Sequence, residues 1–467
     1  MTSPHTPYAY AQTYGLLWKD HRLLLNKAKD GWLQRACVGD FLRQHGPLRV
    51  DDVEEPLFLE QLQDVLPTND GNTASAIHAA QADMDLSRLL IELPTVTDLM
   101  DMTDDGPVVK MVNTLLQQAV RDGASDIHIE PYEAHSQVRV RVDGVLRDVV
   151  QVNRAVHGAL VSRLKVMAEL DIAEKRLPQD GRIGIRLGAL HAVDIRVSTL
   201  PTAHGERAVL RVLDKKAGVP KFASLGIEPT MYAAITHALQ APHGIILVTG
   251  PTGSGKTTTL YSALATMDAK RLNILTVEDP IEYEMPGIGQ TQVNSKIGHS
   301  FAGALRSILR QDPDVILIGE IRDKETAQIA VQAALTGHLV LATLHTNDAP
   351  SAIARLVDMQ VDPTLLASSL TGVLAQRLVR KLCVACHGEG CPACGLTGYQ
   401  GRLGVFEWMG VSTTMRGLIH DNASQNDMKM EAARHGWRPL HEDGQRHIVA
   451  GMTSQDEVVR VTQEDAT

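Results

Sequence analysis

Cysteine is scarce in this sequence and unevenly distributed. Only five cysteines occur in 467 residues, and four of them lie in the stretch CVACHGEGCPACG, which begins at Cys383. The fifth, Cys37, stands far from the others in the chain. A chain stabilised by disulfides carries paired cysteines spread along its length, so this pattern argues against a secreted disulfide scaffold. It favours a protein of a reducing compartment.

Aromatic residues, long apolar runs and positive charge are also in short supply. Aromatic residues make up 4% of the chain, and the formal net charge is −10. No apolar run approaches the roughly 18 residues that a membrane-spanning helix needs, and the first residues lack the basic and apolar segments of a signal peptide. The acidic balance argues against general nucleic-acid binding, although RLVRKL (377–382) is a compact basic cluster. We therefore expect a cytoplasmic protein.

The length implies about three domains. Residues 1–100 form a divergent N-terminal region. Within it, 1–70 show helix-like apolar spacing at Leu16, Leu17 and 23–25, and 67–75 predict a turn-rich linker. A region over 104–214 is expected to hold a helix that ends near Gly123 and strands over 126–131, 137–150 and 192–201. A hinge is expected over 214–221. From 222 to 467, apolar runs of strand length alternate with helical stretches, which predicts a parallel sheet covered on both faces and a helical C-terminus. Those runs are 244–250, 272–278, 314–320 and 338–346.

The strongest motif is GPTGSGKT (250–257), which follows the apolar run GIILV and precedes a helix-compatible segment. Glycines in this pattern let backbone N–H groups surround phosphates at a helix N-terminus. Lys256 is expected to reach the β- and γ-phosphates, and the Thr257 hydroxyl to help bind Mg²⁺. The residues predicted to contact nucleotide are Gly250, Pro251, Thr252, Gly253, Ser254, Gly255, Lys256, Thr257 and Thr258.

Carboxylates and a histidine follow neighbouring apolar runs, where ligands of α/β sheets bind. Glu320 is the last residue of DVILIGE. Such strands usually end in an Asp-Glu pair, but here Gly319 occupies the position of the aspartate. A further carboxylate is expected from TVEDPIEY, which contains Glu278, Asp279 and Glu282. His345 ends another apolar run and is placed to sense the γ-phosphate, whereas position 338 is expected to be structural.

Four boxes together resemble the secretion (traffic) ATPases, which drive type II secretion, type IV pilus assembly and retraction, and DNA uptake. They are GPTGSGKT, TVEDPIEY, ILRQDPDVILIGEIRD (308–323) and TGHLVLATLHTNDA (336–349). GASDIHIEP (123–131), LPQDGRIGIR (177–186) and DIRVSTLPTAHGERAVLRVL (194–213) also resemble the first domain of that family. The resemblance covers residue 104 to the C-terminus.

The resemblance implies an α/β fold: a PAS-like domain (104–214) linked to a RecA-like P-loop ATPase domain (222–467), assembled into a homo-hexamer. It implies that Glu282 activates water, that Glu320 acts through Mg²⁺ and that His345 senses phosphate. Arginines of the PAS-like domain are expected to reach the phosphates, and Arg196 and Arg211 match best, followed by Arg207. The implied activity is ATP hydrolysis.

DIAEKRLPQDGRI (171–183) and the C-terminal pattern are most similar to the type II secretion branch, with pilus assembly as the alternative. In that branch the N-terminal region docks on the cytoplasmic part of an inner-membrane protein, so residues 1–100 are expected to bind such a partner and hold the ATPase peripherally at the inner membrane.

A DNA motor would need a basic channel or stacking aromatics. A non-enzymatic scaffold is disfavoured because Lys256, Thr257, Glu282 and Glu320 are all present.

Two C-x-x-C pairs, Cys383/Cys386 and Cys391/Cys394, can present four thiolates to one metal, which predicts a Zn²⁺ site over 383–394. His387 is expected to be a bystander. The segment between the pairs is shorter than in type II relatives, so the projecting finger of the family should be trimmed. Because the loop follows all the nucleotide residues in sequence, we expect a structural metal with no part in hydrolysis.

Overall fold

The computed structural model describes residues 16–19, 22–26, 49–53, 106–186, 192–214, 218–294 and 297–462. The predicted linker over 67–75 and most of the region 1–100 lie outside this part of the chain. The first compact unit contains a three-stranded sheet of β1 (Leu16–Lys19), β2 (Arg22–Asn26) and β3 (Arg49–Val53). β1 pairs antiparallel with β2, and β2 pairs parallel with β3. The helix-like spacing predicted at Leu16 and Leu17 is therefore wrong, because adjacent apolar residues over four or five positions suit a strand equally well.

A six-stranded antiparallel sheet forms the first part of the second unit. Its strands are β4 (Ala124–Pro131), β5 (His135–Val142), β6 (Val145–Asn153), β7 (Gln179–Arg186), β8 (Ala192–Thr202) and β9 (Gly205–Asp214), in the order β6-β5-β4-β9-β8-β7. Helix α1 (Pro107–Arg121) precedes β4, and α2 (Arg154–Met167) joins β6 to β7. The single strand predicted over 137–150 is wrong. Asp143 and Gly144, both at positive φ, break it into the β5–β6 hairpin, a turn that Asp-Gly favours.

A seven-stranded sheet follows, with the order β12-β11-β13-β14-β10-β15-β16. Its strands are β10 (Gly244–Thr249), β11 (Ile274–Glu278), β12 (Gly289–Gln292), β13 (Val315–Ile318), β14 (Leu339–Leu344), β15 (Leu370–Leu382) and β16 (Tyr399–Gly410). All neighbouring pairs are parallel except β15–β16. The helices around it are α3 (Pro229–Leu239), α4 (Lys256–Leu264), α5 (Phe301–Ile308), α6 (Lys324–Leu335), α7 (Ala349–Asp358) and α8 (Pro363–Ser369). The predicted parallel strands are confirmed.

Both faces of this sheet are buried, as its continuous apolar strands predict. Along β10, Ile245 and Leu247 belong to one core cluster while Ile246 and Val248 belong to the cluster on the opposite face. Four helices end the described chain: α9 (Thr413–His420), α10 (Gln425–Arg434), α11 (Leu440–Val449) and α12 (Gln455–Thr462). The predicted mixed α/β class with a helical C-terminus is confirmed. None of the helices in the described part of the chain is both long and apolar enough to cross a bilayer.

The β5–β6 turn contacts the start of β16, just after the cysteine loop. Asp143 Oδ2 accepts a hydrogen bond from the Gly401 N–H at 2.8 Å, and Asp143 Oδ1 lies 3.5 Å from Arg402 Nε. The Asp143 side chain is 17% exposed and that of Arg402 is 42% exposed. This polar contact joins the antiparallel sheet to the strand that borders the seven-stranded sheet.

Candidate nucleotide-binding site

The predicted phosphate loop joins the buried strand β10 to helix α4. Gly250 and Gly255 have φ of 150° and 89°, and Gly255 is the N-terminal cap of α4 with no side chain to satisfy the helix. By contrast, Asp323 caps α6 by accepting a hydrogen bond from the Thr326 N–H. The open N–H groups at the start of α4 can therefore bind an anion.

Gln376 on β15 lies directly against this loop. A Cβ at Gly250 would lie 2.5 Å from the Gln376 carbonyl oxygen, and one at Gly255 would lie 2.7 Å from Gln376 Nε2. Gln376 Oε1 also accepts a hydrogen bond from the Thr259 hydroxyl at 2.7 Å. Glycine is required at both loop positions because a side chain would collide with Gln376 as well as strain the backbone.

Lys256 is held inside the loop by two backbone carbonyl groups. Its Nζ donates to the carbonyl oxygens of Gly250 and Pro251 at 2.8 and 3.0 Å. Burial lowers the pKa of Lys256 to about 8, opposed by the nearby Glu320 carboxylate. An anion beside the ammonium would favour its charged form, so the site is suited to bind phosphate.

Glu320 and His345 follow two adjacent parallel strands, β13 and β14, and so meet at one edge of the sheet. Glu320 Oε1 lies 2.5 Å from Arg322 Nη2, and Glu320 Oε2 lies 3.6 Å from His345 Nε2. Burial, reinforced by the charge of Lys256, lowers the pKa of His345. The structure thus brings Lys256, Glu320 and His345 together, with Arg322 as an unforeseen fourth member.

The missing aspartate before Glu320 has a steric explanation. A Cβ on Gly319 would lie 3.2 Å from the Val277 carbonyl oxygen and 3.3 Å from Glu278 Cα. Because β11 and β13 run this close together, a larger side chain at position 319 would have to push backbone atoms apart. The carboxylate that sequence reasoning sought at this position has to come from another strand end.

Glu282 lies in the loop that joins β11 to β12, facing an arginine of the antiparallel sheet. Arg196 Nη2 donates to the Ile281 carbonyl oxygen at 3.2 Å and lies 3.5 Å from Glu282 Oε2. The side chains are 21% and 27% exposed, so water still reaches this pair. Burial lowers the pKa of Arg196, opposed by Glu282. This contact joins the two sheets, and the predicted contact of Arg196 with the phosphates stays a prediction.

Arg211 and Arg207 instead pair within their own sheet. Arg211 Nε lies 3.2 Å from Asp126 Oδ1, and Arg207 Nη2 lies 2.6 Å from Glu130 Oε1. Arg211 nevertheless lines a cavity of about 520 Å³ between the antiparallel sheet and the β11–β12 loop, together with Arg182 and Arg196. On the loop side the cavity is bounded by Asp279, Pro280 and Gln292.

Glu278 and His338, two residues considered in the sequence analysis, form hydrogen bonds within the protein core and at a helix end. Glu278 is 2% exposed and its carboxylate accepts hydrogen bonds from the Thr276 hydroxyl at 2.6 Å, from Gln290 Nε2 at 3.1 Å and from the Tyr261 hydroxyl. His338 Nδ1 lies 2.8 Å from the Ala333 carbonyl oxygen at the end of α6, in keeping with the structural role expected of it.

The four loop cysteines converge on one point. Their sulfur atoms all lie within 4.8 Å of one another, and three of the sulfur pairs are 3.8 Å apart. Tetrahedral bonds of about 2.3 Å from zinc to sulfur place the sulfurs roughly 3.8 Å apart. Backbone N–H groups of Gly390 and Gly398 point to Cys386 Sγ and Cys394 Sγ at 3.3 and 3.2 Å. His387 is not a member of the cluster.

Sequence reasoning missed Gln376, Arg322, Arg182 and Tyr261 as parts of the site. Gln376 and Tyr261 act through contacts between distant segments, which no local pattern reveals. Arg322 and Arg182 were visible within quoted motifs, GEIRD and QDGRI. A search for cations beside the predicted carboxylates would have found Arg322, two residues after Glu320.

Comparison with known proteins agrees with this geometry. The sequence matches the family described as "Type II/IV secretion system protein" over residues 101–460. It is 54% identical to the type II secretion system protein HxcR of Pseudomonas aeruginosa, over 98% of this chain and 99% of that protein. It is 47% identical to the type II secretion system ATPase E of Vibrio cholerae, over 88% and 87% of the two chains.

Solved structures resemble it as well. The pilus retraction motor PilT with bound ADP matches with a TM-score of 0.53 and 29% identity, over 75% of this chain and 96% of that one. The ATPase DotB of Legionella pneumophila matches with a TM-score of 0.60 at 21% identity, over 80% of this chain and 98% of that one, which indicates a shared fold. With its phosphate loop, strand-end carboxylates and paired sheets, the chain belongs to the type II/IV secretion system protein family.

Proposed function

We propose that this chain is the ATP-hydrolysing motor of a type II protein secretion system, which powers pseudopilus assembly and the export of folded proteins. The observation that carries the proposal is the cluster of Lys256, Glu320 and His345 at the uncapped start of α4. Relatives 44–54% identical bear type II secretion names, which supports this branch of the family over pilus assembly.

The residues take the following roles in hydrolysis. Lys256 and the other residues of the phosphate loop, 250–258, bind the phosphates. Thr257 and Glu320 would hold Mg²⁺, which would supply charge neutralisation at the transferring phosphoryl group. Glu282 accepts the proton of the attacking water. His345, whose pKa is lowered by burial, donates a hydrogen bond from its neutral ring to the γ-phosphate.

Arginines of the antiparallel sheet complete the site. Arg196 is the main candidate because it already contacts the Glu282 loop, and Arg211 lines the same cavity. A cation here would stabilise charge that develops on the side of the phosphoryl group away from Lys256. Since Arg196 contacts Ile281 and Glu282, a phosphate group that approached it would compete with the loop for its guanidinium group, which would couple nucleotide binding to the position of the antiparallel sheet.

The cysteine loop holds a structural Zn²⁺ ion through Cys383, Cys386, Cys391 and Cys394. The support is the sulfur spacing of 3.8 Å and the N–H groups directed at two of the sulfurs. Thiolate tetrads are the ligand set that zinc prefers. The ion would fix the loop between β15 and β16 and leave hydrolysis to residues elsewhere.

Replacing Cys391 with serine should remove zinc from the purified protein. We expect about one zinc per chain in the native protein and in a Cys37→Ser control, measured by elemental analysis, and almost none in Cys391→Ser. The variant should also melt at a lower temperature, since a lost metal ligand leaves the loop unconstrained. A Cys391→Ser protein that keeps full zinc content would contradict the assignment. If chelation lowered ATPase activity in proportion to zinc while the fold stayed intact, the purely structural role would be wrong.

The active form is a homo-hexamer in the cytoplasm, attached peripherally to the inner membrane. It binds the inner-membrane secretion platform and a cytoplasmic docking protein, the latter through residues 1–100. The support is the resemblance to ring-forming secretion ATPases, and in a ring each closure of the antiparallel sheet would act on a neighbouring chain.

The basic cluster RLVRKL gives little support to a DNA motor. Arg377 is 8% exposed and donates to the Asn347 carbonyl oxygen at 2.8 Å, while Arg380 pairs with Glu457. These guanidinium groups are committed within the chain and leave few charges for a phosphate backbone. Secretion, without a nucleic-acid partner, is the function we propose.

The test is ATPase rate per chain against protein concentration, with and without the cytoplasmic domain of a type II docking protein. Activity per chain should rise with concentration as rings assemble, and rise further with that partner. A pilus-type platform protein serves as the matched control. Stimulation by that control alone would assign the chain to pilus assembly, and salt-sensitive stimulation by DNA would assign it to DNA transport.

A further inference from the structure

Tyr261 is a fully buried tyrosine on the helix that begins with the phosphate-binding lysine. It is 0% exposed and stands five residues after Lys256 on α4. At about 1.5 Å per residue, the two positions are separated by roughly 7.5 Å along the helix axis. A phenylalanine would fill the same apolar space, so the hydroxyl group has to be explained by its hydrogen bonds.

That hydroxyl joins the end of β11 to the loop that carries Glu282. It donates a hydrogen bond to Glu278 Oε2 and accepts one from the Glu282 N–H at 3.3 Å. Burial and the hydrogen bond to Glu278 raise the pKa of Tyr261, so the hydroxyl keeps its proton and can act in both directions at once. The Tyr261 ring also meets the Tyr283 ring edge-on, with centroids 6.1 Å apart.

Gln290 fastens the other side of the same loop. Gln290 Nε2 donates to Glu278 Oε1 at 3.1 Å and to the Tyr283 carbonyl oxygen at 3.0 Å, while its Oε1 accepts from the Met285 N–H at 2.7 Å. The buried Glu278 carboxylate thus accepts hydrogen bonds from both the Tyr261 hydroxyl and Gln290 Nε2. A network in which each buried polar group is satisfied holds one loop geometry in preference to others.

We infer that Tyr261 is a positioning residue, whose hydroxyl links the phosphate-binding helix to the Glu282 loop and thereby places the Glu282 carboxylate for hydrolysis. The inference rests on the proposed role of Glu282. The hydroxyl touches neither nucleotide nor water in this role and acts only through Glu278 and the Glu282 backbone. Any displacement of α4 on phosphate binding would be passed to the loop through this hydroxyl.

Tyr261→Phe tests the inference, because it keeps the ring and removes only the hydroxyl. We expect kcat to fall roughly 10- to 100-fold, as for a misplaced reacting group, while the Kd for ADP changes less than about twofold, since no phosphate contact is lost. The matched control is Tyr232→Phe, whose ring lies 5.4 Å from that of Phe222 in an apolar cluster. That variant should keep the native kcat.

A second comparison separates positioning from a general loss of structure. In a Glu282→Gln background, measured by single-turnover hydrolysis of radiolabelled ATP, Tyr261→Phe should cause no further fall, because it acts through Glu282. A further tenfold fall there would overturn the inference. Hydrogen exchange of the Glu282 amide should also speed up in Tyr261→Phe, and a native exchange rate would count against the link.

Gln290→Met covers the case in which Tyr261→Phe does not fold. It removes a second donor to Glu278 at a partly exposed position and leaves the Thr276 donor in place. It should also lower kcat at nearly unchanged ADP affinity. Full kcat in the folded variants would overturn the inference and leave the role of Glu282 intact. Full activity in Glu282→Gln would overturn the proposed role of Glu282 whatever Tyr261→Phe does.

Discussion

Lys256→Ala should lower ATP hydrolysis by roughly 10²- to 10³-fold, the loss expected when one preorganised charge is removed from a phosphoryl-transfer site. Nucleotide affinity should fall with it, because the variant loses the ammonium that lies among the phosphate-loop carbonyl groups and is expected to contact the phosphates. The measurement pairs steady-state phosphate release with a titration of ADP binding.

Lys270→Ala is the control for this change, because Lys270 is exposed and lies on the segment after α4. It should retain native affinity and rate. Lys256→Arg is not a conservative alternative, since a planar guanidinium group cannot occupy the space of a compact ammonium between the carbonyl oxygens of Gly250 and Pro251. Native activity in Lys256→Ala would refute the phosphate-site assignment.

Glu282→Gln should separate binding from chemistry. Loss of a general base costs roughly 10²- to 10⁴-fold in rate, whereas the amide keeps the size of the side chain and leaves the phosphate loop untouched. We therefore expect kcat to fall while ADP and ATP still bind. Lys256→Ala, by contrast, should lower both the rate and the nucleotide affinity. Binding is measured by titration and kcat by phosphate release at saturating ATP.

Glu284→Gln is a close control for this variant, two residues away on the same loop and exposed. It should hydrolyse ATP at the native rate. If both glutamine variants lost activity equally, the loss would reflect disturbance of the loop and not the chemistry of Glu282. If neither did, the base would have to be sought among the other strand-end acids, Asp279 and Glu320.

The sequence predicted those parts of the site that depend on contiguous residues. The phosphate loop is one continuous motif, and β10, β13 and β14 are continuous apolar runs because both faces of a parallel sheet are buried. The ends of such strands lie at one edge, so Glu320 and His345 could be brought together before any coordinates were known.

Other features depended on distant pairs or on turns. Thr259 and Gln376 meet across 117 residues, and the Tyr261–Glu278 link has no local pattern. β15 was not anticipated because its charged residues resemble a surface cluster until Glu457 and Asn347 are seen beside them. The break at Asp143 did have a local signal, an Asp-Gly pair, but the alternating valines on either side dominated the interpretation.

Strand β15 has a mechanical consequence for the whole second unit. It runs from Gln376, which abuts the phosphate loop, to Leu382, the residue before the first cysteine, and its pairing with β16 is irregular between Arg380 and Leu382. The Leu382 N–H donates to the Met452 carbonyl oxygen. Six residue steps of extended backbone span roughly 20 Å and barely stretch. A displacement of β15 at the nucleotide end would be carried along the strand to its other end, where β16 meets Asp143. Two sets of contacts thus connect the antiparallel sheet to the nucleotide site: Arg196 contacts the Glu282 loop, and Asp143 contacts β16, the partner strand of β15.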